Sequence, residues 1–170
     1  MTTMTEYTPG NVYGFALSCN TTSLISSLTI SSNRINWYTD QEGGHNALHI
    51  ATMASTINII NILLDNGINI NILDNSKNKF NTTALIMAAD NGDLQCMELL
   101  LHRGADINSR DNHNHTALHH TAIYGYKECV IMLLNKGAVI DINIDSYEPI
   151  VTNATDCRPF IDLARRLYHQ

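Results

Sequence analysis

Apolar residues along this chain fall into short runs of helical period, and the runs come in pairs that return at a fixed distance. One pair is Ala117-Leu118-His119-His120-Thr121-Ala122 and, beyond Gly125, Cys129-Val130-Ile131-Met132-Leu133-Leu134. A matching pair, Ala84-Leu85-Ile86-Met87-Ala88-Ala89 and Cys96-Met97-Glu98-Leu99-Leu100-Leu101, stands 33 residues earlier with no gap between the copies. Each unit therefore predicts two short helices, the first carrying small residues and the second a leucine-rich stripe. Neither face can be buried within one unit, so neighbours must stack, and the end units must be atypical because one side of each meets water. The anchors Tyr13, Leu48, Leu85, Leu118 and Ile150 recur every 32 to 37 residues. A period of this size marks a stacked array with one long exposed surface, which suits binding better than it suits enclosing a reaction.

The connections agree with that pattern. Thr83 and Thr116 stand just before the first helix of their units, where a side-chain oxygen can cap free backbone N–H groups. Gly92 and Gly125 fall between the paired helices, where a left-handed residue ends the first one. In the preceding unit the same place is held by Ser55.

With the stretch Asn114-His115-Thr116-Ala117-Leu118-His119 and the run Gly104-Ala105-Asp106-Ile107-Asn108 in view, the chain resembles the ankyrin-repeat family. The unit of that family is a Thr-Pro-Leu-His-like turn into a helix, a Gly, a Leu-Leu helix, then Gly-Ala-Asp-x-Asn and a hairpin. The resemblance implies an all-α solenoid of stacked helix-turn-helix pairs joined by β-hairpin loops, forming a single domain over residues 1–170. Five repeats are expected, at approximately 11–39, 40–73, 74–110, 111–141 and 142–170, the first and last being degenerate capping copies. Where the family usually has Gly before the turn, this chain has Gly44, then Asn81 and Asn114, and Asn is the residue that best tolerates positive φ after Gly. Four extra residues lengthen the hairpin around Asn75-Ser76-Lys77-Asn78-Lys79 and give it a basic tip.

The resemblance also implies where a protein partner docks, on the concave face made by hairpin tips and first helices. Carried over by position, the hairpin side offers Trp37, Tyr38, Glu42 and His45, then Lys79, Phe80 and Thr82, then Arg110, Asn112, His113 and His115. The first helices offer Met53, Asp90, Asn91, Ile123 and Tyr124. Aromatic anchors dominate interface energy, which singles out Trp37, Phe80 and Tyr124. Ile123 and Tyr124 together are expected to form an apolar hot spot flanked by Asp90 and Asn91, suited to a partner with an apolar anchor and some basic residues.

Composition narrows the function further. A formal net charge of -6 without a block of basic residues disfavours nucleic acid as the main ligand. No apolar stretch is long enough to span a membrane, and Met1 to Gly10 lacks the basic-then-apolar pattern of a secretion signal, so a cytoplasmic or nuclear location is expected. Twenty asparagines and twenty isoleucines suggest an AT-rich genome, such as that of a large virus or another pathogen that manipulates a host. Cys96 and Cys129 share one register at the start of the second helix and are expected to behave as buried apolar side chains, with Cys19 and Cys157 in the end repeats.

Candidate chemistry is sparse. His113, His115, His119 and His120 place four imidazoles within eight residues, a set that could ligate zinc. By register, however, His119 matches His49 in the turn, His120 faces the repeat interior or its neighbour, and His113 and His115 lie on the hairpin side, so the four are expected to diverge and no metal ligand is assigned. No nucleophile elbow or glycine-rich phosphate loop occurs, and Asp90, Asp93, Asp106 and Asp111 read as caps of helices and turns. The expectation is a non-enzymatic, stand-alone binder without cofactor, monomeric when free, that sequesters or inhibits a protein partner. Two rivals are a subunit of a permanent assembly and, further off, a metal protein centred on the histidine cluster.

Overall fold

A computed structural model describes residues 44–74 and 81–140. The two degenerate end repeats, the tip of the long hairpin, and Trp37, Tyr38, Glu42, Lys79, Phe80, Cys19 and Cys157 lie outside the described residues.

The described chain folds into three helix pairs: α1 (Ala47–Met53) with α2 (Ile57–Asp65), α3 (Ala84–Asp90) with α4 (Leu94–His102), and α5 (Ala117–Tyr124) with α6 (Lys127–Asn135). Each first helix starts at a polar cap. Asn46 Oδ1 accepts from the His49 N–H at 3.0 Å while His49 Nδ1 accepts from the Asn46 N–H at 3.2 Å, a reciprocal box that satisfies two helix-end donors. Thr83 Oγ1 accepts from the Ile86 N–H at 3.3 Å. At α5 the Thr116 N–H and hydroxyl both reach His119 Nδ1, at 3.1 and 2.9 Å, so the histidine expected to bond within its turn does so.

The helices form two rows. In the inner row α3 lies between α1 and α5, and in the outer row α4 packs against α6. Small side chains permit the close inner row: Ala51, Ala88, Ala89 and Ala117 are all buried. Between the rows, Leu48, Leu85 and Leu118 from the first helices meet Leu63, Leu100 and Leu133 from the second in one continuous core. Truncating any of these leucines to alanine is expected to cost about 2–5 kcal/mol, because a stacked layer cannot collapse around the cavity.

Side chains also tie repeat to repeat. Asn71 Oδ1 accepts from the Asp106 N–H and Asn108 Oδ1 from the Val139 N–H, each at 2.9 Å. The Asn of the Gly-Ala-Asp-x-Asn run thus satisfies a backbone donor of the following repeat. Arg103 adds a crossing between second helices, donating to Asn61 Oδ1 at 2.8 Å and pairing with Asp65.

Backbone signs follow the sequence reading. Asn81 and Asn114 take φ of 47° and 67°, and Gly92 and Gly125 take 64° and 72°. Ser55 adopts the same left-handed conformation, φ 52°, without being glycine.

Among the described residues the connections between repeats form no extended strand. Backbone bonds close the connections, Asp74 N–H to Thr82 O and Asp111 N–H to His115 O at 2.9 Å each, with Asn114 N–H to Asp111 O at 3.0 Å inside the second. The aspartates explain the lack of a ladder. Asp74 Oδ1 takes the Thr82 N–H at 2.9 Å, and Asp111 Oδ1 takes those of His113 and His115 at 2.8 Å each. Side-chain acceptors thereby consume donors that strand pairing would use.

Candidate functional site

A groove of about 320 Å³ runs along the inner row and crosses all three described repeats. Its apolar wall comes from Met53, Ile86, Met87 and Tyr124, and its polar wall from His45, Asp74, Asp90, Asp111 and His120. Six of the residues selected by position from the sequence meet here: His45, Met53, Thr82, Asp90, Asn91 and Tyr124. Met53, on the apolar wall, is 53% exposed. Tyr124 stacks on Tyr126 with ring centroids 5.8 Å apart. Its phenol is held above the usual tyrosine range, first by the Asp90 carboxylate and then by partial burial.

Others fall elsewhere. Arg110, Asn112 and His113 are exposed on the turn before α5 and do not line the groove. Arg110 Nη1 braces that turn by donating to Asn114 O at 2.8 Å, and Asn112 Oδ1 accepts from Asn81 Nδ2 of the preceding turn at 3.0 Å. Ile123 is a correction: it is 6% exposed, so it forms no surface pair with Tyr124. Register alone does not set exposure here, because Ile123 shares the register of exposed Met53 and Asp90 yet is buried, and Tyr124, one position on, takes the groove side.

The histidines are a second correction. His115 and His120 do not diverge: their rings meet edge to face with centroids 5.8 Å apart, and His115 stacks on His119 at 5.6 Å. His120 bridges two repeats, with Nδ1 2.9 Å from Asp90 Oδ1 and Nε2 3.0 Å from Asp111 Oδ2. Carboxylate oxygens only accept, so both ring nitrogens carry protons and the imidazolium is held between two anions. Burial alone would lower the His120 pKa, but the hydrogen bonds and charges of Asp90 and Asp111 outweigh it and raise it above the ordinary histidine value. Burial would likewise raise Asp111, yet the His115 N–H and the His120 ring bring it below the usual carboxylate range. His115 moves down, through burial first and against the pull of Asp111, with His120 and His113 adding to the burial effect.

Asp74, Ile86, Met87, Asp111 and His120 line the groove without having been expected at a partner surface. A signal for the aspartates was present, because Asp74 and Asp111 fall in one register once the four inserted hairpin residues are removed.

Comparison with known proteins bears on the whole array. An ankyrin-repeat model matches residues 43–75, and a model of three ankyrin-repeat copies matches residues 73–146. Over 69 residues, 41% of this chain, the sequence is 41% identical to the E3 ubiquitin-protein ligase KEG of Arabidopsis thaliana, and that stretch is 4% of the ligase. The match therefore spans only a small part of that protein's length. Among the described residues, no helix is long and apolar enough to cross a membrane.

Proposed function

The chain belongs to the ankyrin-repeat family, and from that premise we propose that it is a binding module that captures a protein partner in the inner-row groove. By occupying the partner's own docking surface it would sequester or inhibit that partner without chemistry of its own. The observation that carries this reading is the groove, where exposed Met53 and half-buried Tyr124 stand beside Asp74, Asp90 and Asp111. Apolar walls with acidic groups suit a segment that presents an apolar anchor flanked by lysine or arginine, since charge complementarity fixes register and speeds encounter.

The test compares the wild-type chain with Tyr124→Ala and with Asp90→Arg, each checked for native helical signal, in affinity capture followed by a measured Kd for the captured protein. Loss of a central aromatic anchor is expected to cost about 2 kcal/mol, roughly thirtyfold in Kd. Equal affinity in both variants would move recognition out of the groove and defeat the reading.

A further inference from the structure

We propose that Asp111, His115 and His120 form a binding site for a zinc-class divalent cation, a site distinct in chemistry from capture of a protein. One ligand atom from each of the three residues lies within 4.8 Å of the others. Carboxylate oxygen and imidazole nitrogen are the donor types zinc prefers, at about 2.0–2.2 Å from the metal. Small side-chain rotations would bring three donors already this close onto a common ion.

Two features show the donors oriented beforehand. Asp111 is buried, and its Oδ1 is taken by two backbone N–H groups, those of His113 and His115, at 2.8 Å each. That leaves Oδ2, which faces the His120 ring, as the oxygen set up to act as a one-oxygen ligand. His120 is fixed from behind, its Nδ1–H donating to Asp90 Oδ1 at 2.9 Å while Nε2 faces Asp111 Oδ2 at 3.0 Å. A carboxylate behind a histidine is the outer-shell arrangement that fixes the tautomer of a metal-binding imidazole and raises its basicity. In the metal-free protein a proton on Nε2 fills the gap to Asp111. When zinc binds, it takes that proton's place and the proton leaves to solvent. Three protein donors leave a fourth position for water on the side where Asp111 and His120 line the groove.

The experiment titrates tag-free protein with zinc chloride by calorimetry and follows the histidine ring nitrogens by NMR. One zinc per chain is expected, with the His115 and His120 resonances moving together. His115→Ala and His120→Ala should each abolish saturable binding, and Asp90→Asn should weaken it by about 10–100-fold, as removal of an outer-shell partner does. His102→Ala, at an exposed histidine on α4, should leave it unchanged. Absence of saturable uptake by the wild type, or uptake lost with His102→Ala and kept by the other variants, would overturn the proposal. Should either alanine variant unfold, the wild-type spectra decide, because zinc that shifts other histidines and spares these two refutes the site.

Discussion

Acidification should weaken this fold at His49, and the size of that residue's effect follows from how its ring is held. His49 is fully buried, its Nδ1 accepts from the Asn46 N–H at 3.2 Å, and its Nε2 donates to Ile72 O at 3.1 Å. Those bonds require the neutral ring, because a proton on Nδ1 would break the cap of α1 and leave a charge in the core. Burial is the main cause that lowers its pKa to about 4, with Asp74 acting upward and His45 downward. An unfolded chain binds the same proton near the ordinary value of about 6.5. Below that value the unfolded state takes up protons that the folded state refuses, so stability falls as pH falls from about 6.5 toward 4. At pH 5 the difference is about 2 kcal/mol for this one group. Urea unfolding of the wild type and of His49→Gln at pH 7 and pH 5 isolates it. The variant is less stable at both pH values, but its loss between them should be smaller than the wild type's by about 2 kcal/mol. Identical pH slopes, or an NMR titration that finds His49 protonating near pH 6.5, would refute the reasoning.

Three further outcomes are expected. Ser55 sits at φ 52°, so Ser55→Gly should relieve left-handed strain and raise the free energy of urea unfolding by about 1 kcal/mol. A decrease would show that the Ser55 side chain contributes more than its backbone costs. Gly92→Ala would bring a Cβ to 2.8 Å from the Tyr126 ring at φ +64°, whereas Gly67→Ala, at φ +82°, meets nothing within 4 Å. Thermal unfolding should therefore find the first more damaging by about 1–3 kcal/mol, the overpacking contribution alone, and equal losses would remove the contact with Tyr126 from the account. Burial pushes the Cys96 thiol up to about 12, with Asp93 acting the same way. Peptide mapping after iodoacetamide treatment of native protein at pH 8 should then find Cys96 unmodified, and rapid labelling would mean that the α4 layer opens.

What the sequence disclosed and what it hid divide along a physical line. Asn81 and Asn114 were legible because a positive φ restricts residue type, and Thr83 and His119 because caps are local. The leucines at 48, 85, 118 and at 63, 100, 133 were legible because stacking repeats the same demand in every layer. Ile123 was misplaced because a shared register does not mean shared exposure: Met53 and Asp90 hold the same position and face the groove, while Ile123 is buried. The meeting of His115 with His120 was hidden by the turn before α5. There Asp111 gathers the N–H groups of His113 and His115 and curls the chain so that His115 lies over the first turn of the helix. No periodicity reports a curl of that kind.

In a stacked array, a requirement of the fold must recur with the period, so positions that change from repeat to repeat are freed from that requirement. Leucine recurs at 48, 85 and 118, but the neighbouring register 50, 87, 120 reads Ile, Met, His, and 53, 90, 123 reads Met, Asp, Ile. Five of those six aperiodic side chains other than Ile123 are Ile50, Met87, His120, Met53 and Asp90, and all but Ile50 line one groove. Asp90 belongs there to both proposed activities, standing beside Tyr124 on one side and behind His120 on the other. Tyr124 lies on the groove wall, outside the donor set of Asp111, His115 and His120. Tyr124→Ala should therefore weaken partner capture and leave zinc affinity alone, whereas His115→Ala should abolish zinc binding and leave the groove wall intact. Asp90→Asn should affect both. Loss of partner capture in His115→Ala at native stability would mean that the cation holds the binding surface in place, and the two activities would then be one.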